Sequence, residues 1–247
     1  MITLSRPILM LVTEASPRLE EIVAEAMAGG VDLVQWRDRI PPHPLPKGGR
    51  VPVKASVLYL DHAPSECSLS PRRTALPFGE DARRGPNEQT SPSYVRLLPL
   101  HIVNARSFDH LPAGAGGVHL PEHSISIAEA RRQYGANILI GRSIHNIDSA
   151  LQAEINGANY IVAGTIFASN SHPGETPAGL DFLREVCASV TIPVIAIGGI
   201  TPQNTPDCLA AGAAGVAVLS PIMRAKDPKR VAEMYCEAMR YSTRISS

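Results

Sequence analysis

Aromatic residues make up only 4% of the 247-residue chain, too few to build the stacking platforms that hold single-stranded nucleic acid. Neither sign of charge predominates: 23 Lys and Arg stand against 23 Asp and Glu. A net charge of zero excludes the broad positive field of a general nucleic-acid binder or a membrane-surface protein, while leaving room for a local phosphate site. No apolar run approaches the roughly 20 residues of a membrane span. Met1 to Pro7 lacks the long apolar stretch and small-residue cleavage site of a secretory signal. Cysteine is scarce: Cys67, Cys187, Cys208 and Cys236, none at C-x-x-C spacing. That argues against a zinc site and for reduced, structural thiols in a cytoplasmic protein.

Two patterns alternate along the chain. Apolar β-rich runs occupy 8–12, 31–36, 100–103, 117–120, 138–141, 160–164, 193–199 and 215–220. Segments of helical period lie between most of them, at 18–30, 126–135, 147–158 and 180–190. Eight such runs imply a parallel sheet with right-handed crossovers, closed as a barrel. The runs are almost continuously apolar, as strands covered on both faces must be. The fold class is therefore α/β, a (β/α)8 TIM barrel, and the length fits the roughly 250 residues that one barrel takes.

Glycines Gly30, Gly114, Gly157 and Gly212 each precede an even-numbered run, where a left-handed residue stops the preceding helix. The interval from Gly30 to Gly114 is too long by about 30–40 residues for two compact βα units. The excess falls in a stretch holding half of the 22 prolines, from Pro41 to Pro99. Such proline density interrupts any long helix. We read 1–247 as one barrel domain with an irregular insertion, 41–97, after the second strand, and expect proteolysis to cut there first.

The strongest chemical signal is the pair IPVIAIGGIT (192–201) and GVAVLS (215–220). In barrels the loops after strands seven and eight commonly bind phosphate through main-chain N–H groups, and glycines let the backbone approach the anion. Gly198, Gly199 and Ile200 on one loop and Leu219 and Ser220 on the other are the expected donors. A Gly199→Val change should then block the anion and leave the fold intact. At the end of the second run, Gln35, Arg37 and Arg39 alternate and point to one side of an extended chain. They form either an anion site at the mouth or an internal ion pair involving Glu14 or Asp38. The loop 164–180 is polar and glycine-rich and carries His172. His145 lies past the fifth run and His119 ends the fourth, so three histidines at successive strand ends could surround one site. His119 read alone is more often a packed residue.

These stretches together resemble a known superfamily. LVTEAS (11–16), VQWRDR (34–39), 102–122, 141–174 and 193–222 are similar to the thiamine-phosphate synthases and the related thiazole tautomerases. The synthase joins a pyrimidine methyl pyrophosphate to a thiazole phosphate. Its usual N-D-R motif, whose Asp helps hold magnesium, reads Asn104-Ala105-Arg106 here. Ser124 stands at the second acidic position, and His172 replaces a loop lysine that holds pyrophosphate. Magnesium binds through carboxylates and phosphates, so both losses should weaken its site severely.

The resemblance, with these departures, points to the tautomerase branch: metal-independent aromatisation of a thiazole carboxylate phosphate. It implies His172 or His145 as the proton carrier. It implies Gln35, Arg37, Arg39, Asn104, Ser143, Thr165 and Ser171, with the two phosphate loops, as substrate contacts. The tautomerase branch usually has a histidine where Thr165 stands. The alternatives are the synthase itself, the one case that would require Mg2+, and a catalytically silent phosphate-ligand sensor. The expected partner is a small thiazole phosphate, with no metal, nucleic acid or membrane. Oligomeric state stays open.

Overall fold

The computed structural model describes residues 7–37, 100–169, 174 and 176–245. Eight strands form a closed parallel barrel in sequence order: β1 (Ile8–Val12), β2 (Leu33–Trp36), β3 (Leu100–Asn104), β4 (Gly117–Leu120), β5 (Leu139–Ile144), β6 (Tyr160–Ala163), β7 (Val194–Ile197) and β8 (Gly215–Val218). Closure comes from β8 pairing with β1, Gly215 opposite Ile8 and Val218 opposite Leu11. Every sequence-predicted strand is present, shifted by at most a few residues. The proposed insertion 41–97, together with Arg39, lies outside the described residues.

Helices α1 (Leu19–Gly29), α2 (Ile127–Tyr134), α3 (Ile147–Ile155) and α4 (Gly179–Ser189) fall where the period placed them. Their starts and stops follow from local chemistry. Ser126 caps α2 in a reciprocal box: its hydroxyl accepts the Glu129 N–H at 3.2 Å, and Glu129 accepts the Ser126 N–H at 2.8 Å. Asn146 caps α3 by accepting the Ser149 N–H at 2.8 Å. Gly30, at φ 113°, ends α1 in the left-handed conformation. Three more helices, α5 (Thr205–Ala210), α6 (Ser220–Met223) and α7 (Pro228–Ile245), complete the set among the described residues. None of the described helices is long and apolar enough to cross a membrane.

One expectation needs correcting. No helix lies between β3 and β4; residues 105–116 run as turns and irregular chain. Gly114 has positive φ (90°) but stops no helix. The stretch is only a dozen residues long and contains Pro112, so it closes the crossover as a loop.

Strand alternation sorts the side chains into two cores. Leu9, Leu11, Val34, Trp36, Val103 and Val118 face outward and pack with the helices. Ile8, Met10, Val12, Leu33, Tyr160, Val162, Ile195 and Ala217 fill the barrel interior. The three described cysteines are free thiols, in line with the expected structural role. Burial pushes Cys187 up to about 11 and Cys208 to about 12.

Candidate active site at the barrel mouth

Register decides which predicted residues face inward. Gln35 stands opposite Val12 and Ile102 and is 2% exposed. Asn104 shares the face of Leu100 at the end of β3 and is also buried. Ser143 lies on β5 two residues beyond Gly141, and its hydroxyl is 2.8 Å from His119 Nε2. Asn104 stands opposite His119 on β4. The interior thus carries a polar layer of Gln35, Asn104, His119 and Ser143 on the mouth side of its apolar filling. His119 holds a neutral imidazole. Burial pushes it down to about 3, and the guanidiniums of Arg37 and Arg142 act in the same direction.

Arg37 follows β2 and is exposed; its N–H donates to Thr13 Oγ1 at 3.2 Å, and its carbonyl accepts the Ser107 hydroxyl. Glu14, one partner suggested for an internal ion pair, instead meets Arg224 beyond α6, at 3.0 Å. Asp38, the other suggested partner, lies outside the described residues.

The β6–β8 side is built differently. The chain after β6 runs alongside the end of β7: the Ile166 and Phe167 N–H groups donate to the Ile197 and Gly198 carbonyls at 2.9 and 3.0 Å. Thr165 is half-buried there, and a Cβ on Gly198 would lie 2.4 Å from its Cγ2. A Cβ on Gly199 (φ 62°) would lie 2.3 Å from the Ala168 carbonyl oxygen and 2.7 Å from that of Phe167. This overturns the expectation that Gly199→Val spares the fold: the glycine is required by protein backbone before any ligand arrives.

Two residues hold this loop from behind. Asn204 accepts the Thr201 N–H at 2.8 Å and donates to the Gly199 carbonyl at 3.1 Å. Tyr235, fully buried on α7, donates to the Ile200 carbonyl at 2.8 Å. Leu219 and Ser220 lie where β8 passes into α6, beside β7, so both expected phosphate loops occupy neighbouring strand ends.

The two described histidines of the expected set, His119 and His145, do not converge. His145 turns to Glu122 on the β4–α2 loop, Nδ1 to Oε2 2.6 Å, with its side chain 58% exposed. His119 sits inside the barrel wall. His172 and Ser171 lie outside the described residues. Sequence reasoning singled out neither Asn204 nor Tyr235, and it raised His119 as one of three histidines that could surround a site while reading it, taken alone, as packed. For Asn204 the T-x-x-N spacing was the available signal. For Tyr235 there was none, because its partner is 35 residues away.

Magnesium fits poorly among the described residues. The Ala105 methyl packs against the outer core, and the Ser124 hydroxyl donates to the Pro121 carbonyl at 2.7 Å. The nearby carboxylate, Glu122, is taken by His145. The described residues hold no group of three or more His, Cys, Asp or Glu suited to a metal.

Comparison with known proteins agrees with the resemblance. The family described as thiamine monophosphate synthase matches residues 99–222. A thiamine-phosphate synthase of Gloeobacter violaceus is 34% identical over 94% of this chain, which spans only 57% of that relative's length. One of Chlorobium luteolum is 31% identical over 92% of this chain and 90% of its own. Among solved structures, the thiamine phosphate pyrophosphorylase of Pyrococcus furiosus superposes with a TM-score of 0.61 at 26% identity. That match covers 95% of this chain and 96% of the other.

Proposed function

Because the chain belongs to the thiamine monophosphate synthase family, we propose that it acts in thiamine biosynthesis as a thiamine-phosphate synthase. It would join a pyrimidine methyl pyrophosphate to a thiazole phosphate, with loss of pyrophosphate. The observation that carries this reading is the match to the Chlorobium synthase, which extends over nearly the whole of both chains. It supports the synthase over the tautomerase expectation, since these relatives are named as synthases.

In this reading the thiazole phosphate lies between Gly198–Ile200 and Leu219–Ser220, held by main-chain N–H groups. Thr165 closes one side. Gln35, Arg37, Asn104 and Ser143 face the heterocyclic part, with Arg37 supplying positive charge at the rim. Arg39, Ser171 and His172 belong to the same proposed set.

A second reading is favoured by a specific observation. Ala105 and Ser124 stand where the synthase pattern has acids, and the described residues hold no group of three or more His, Cys, Asp or Glu suited to a metal. Tautomerisation needs none, only a proton carrier, for which His145 and His172 are the candidates. One experiment separates the two. The protein is incubated with the pyrimidine pyrophosphate and thiazole phosphate plus Mg2+, and separately with the non-aromatic thiazole carboxylate phosphate plus EDTA. Thiamine phosphate formed in the first mixture establishes the synthase; turnover only in the second establishes the tautomerase. Phosphate-ligand binding without turnover in either would leave the sensor.

A further inference from the structure

Among the described residues, two buried polar atoms inside the barrel have no hydrogen-bond partner, His119 Nδ1 and Tyr160 Oη. They belong to one row. His119 stands opposite Gly141, and Gly141 opposite Tyr160. A Cβ on Gly141 would lie 2.1 Å from Tyr160 Cζ, so the glycine lets the phenol ring lie across β5. The ring tilts against the imidazole at a centroid distance of 6.0 Å. The imidazole also meets a half-buried group, Ser143 Oγ, at 2.8 Å from Nε2.

A neutral imidazole carries its proton on one nitrogen only. With the proton on Nδ1, a buried N–H would have no acceptor, and Nε2 would take the Ser143 hydroxyl hydrogen. With the proton on Nε2, His119 donates to Ser143 Oγ and only a lone pair is left over at Nδ1. Orphaned buried N–H groups are rarer than under-used acceptors. We propose that His119 is a positioning residue: it donates from Nε2 to Ser143 Oγ and so keeps the Ser143 hydroxyl as a donor to an acceptor atom of the bound ligand. The ligand assignment rests on the synthase reading above; the tautomer does not. Ser143 is the group that touches ligand, and His119 acts through it. Tyr160, reaching across Gly141, packs its ring tilted against the imidazole.

Two measurements test this. In full-length protein labelled with 15N-histidine, His119, assigned by the loss of its signals in His119→Gln, is expected as the Nε2–H tautomer, with its shifts moved by Ser143→Ala. An Nδ1–H tautomer overturns the proposal. This arm needs no turnover. The second is a double-mutant cycle with the substrates that the wild type consumes. Ser143→Ala and His119→Leu should each lower kcat about tenfold, the order of one lost hydrogen bond, with KM little changed. The double variant should be no worse than Ser143→Ala alone. His119→Gln, whose amide N–H can still reach Ser143, should recover most of the loss. Additive losses, or no rescue by Gln, overturn the proposal. Should His119→Leu fail to fold, the Gln variant and the tautomer still decide. A wild type that consumes neither substrate set refutes the functional reading, and the tautomer measurement then judges His119 by itself.

Discussion

At the β7 and β8 ends of the mouth, the groups proposed to meet a ligand are main-chain groups. They are packed against the Thr165–Ala168 chain and held from behind by Asn204 and Tyr235. Across the barrel, at β3 to β5, they are side chains: Asn104 and Ser143 on the interior face, with His119 behind Ser143 and the Glu122–His145 pair at the rim. A backbone site depends on where glycine is allowed and on little else. It tolerates no side chain at Gly199, yet it does not specify what the rest of the ligand is. A side-chain site can change its chemistry by single substitutions while the barrel persists. The departures at Ala105 and Ser124 both fall on the β3–β5 side. The difference teaches that a backbone cradle constrains the chain through sterics, whereas the side chains facing it can change without disturbing the barrel.

The comparison can be broken most severely at Gly199. Gly199→Val drives a side chain into two carbonyl oxygens and forces a left-handed residue to be β-branched. Thiazole phosphate affinity by calorimetry should fall by more than about 100-fold, and stability by at least about 1–3 kcal/mol. Retained affinity would remove the backbone cradle.

The polar side should reveal itself in acid. Burial holds His119 near 3, whereas the unfolded chain has an imidazole near its ordinary value of about 6.5. The unfolded state therefore binds the proton more readily between those values. The stability that His119 contributes as a neutral group is complete above about pH 6.5 and is lost as pH falls toward 3. Urea midpoints measured across that window should flatten in His119→Gln. An unchanged acid limb would mean that the imidazole is not buried.

A smaller effect is expected from the support behind the cradle. Tyr235→Phe removes the donor to the Ile200 carbonyl and leaves that oxygen buried without it, at a cost of about 1–3 kcal/mol. Phosphate-ligand affinity should weaken several-fold while the polar layer is untouched, measured by calorimetry beside thermal unfolding.

The rim pair should matter least. With His145 mostly exposed, Glu122→Gln should change urea stability by less than about 1 kcal/mol and turnover by less than about threefold. A larger drop in turnover would return His145 to the chemistry.

Much of the barrel can be read from the chain because its periodicities are local. Eight apolar runs needed covering on both faces, and Ser126, Asn146 and Gly30 mark helix boundaries through contacts within a few residues. The glycine pair after β7 was legible for the same reason. The missing β3–β4 helix was not, because a positive-φ glycine looks the same after a helix as after a loop.

The sequence by itself determined the alternation, the closed parallel class and the glycines on which the mouth is built, all through short-range steric and hydrophobic rules. Only the tertiary structure decided that Gly199 answers to the Phe167 and Ala168 carbonyls, that Tyr235 reaches Ile200, and that His145 turns to Glu122 while His119 meets Ser143. Each of these depends on strand register or on which element packs behind a loop. Register is set by closure of the whole barrel, so no local stretch of residues carries it.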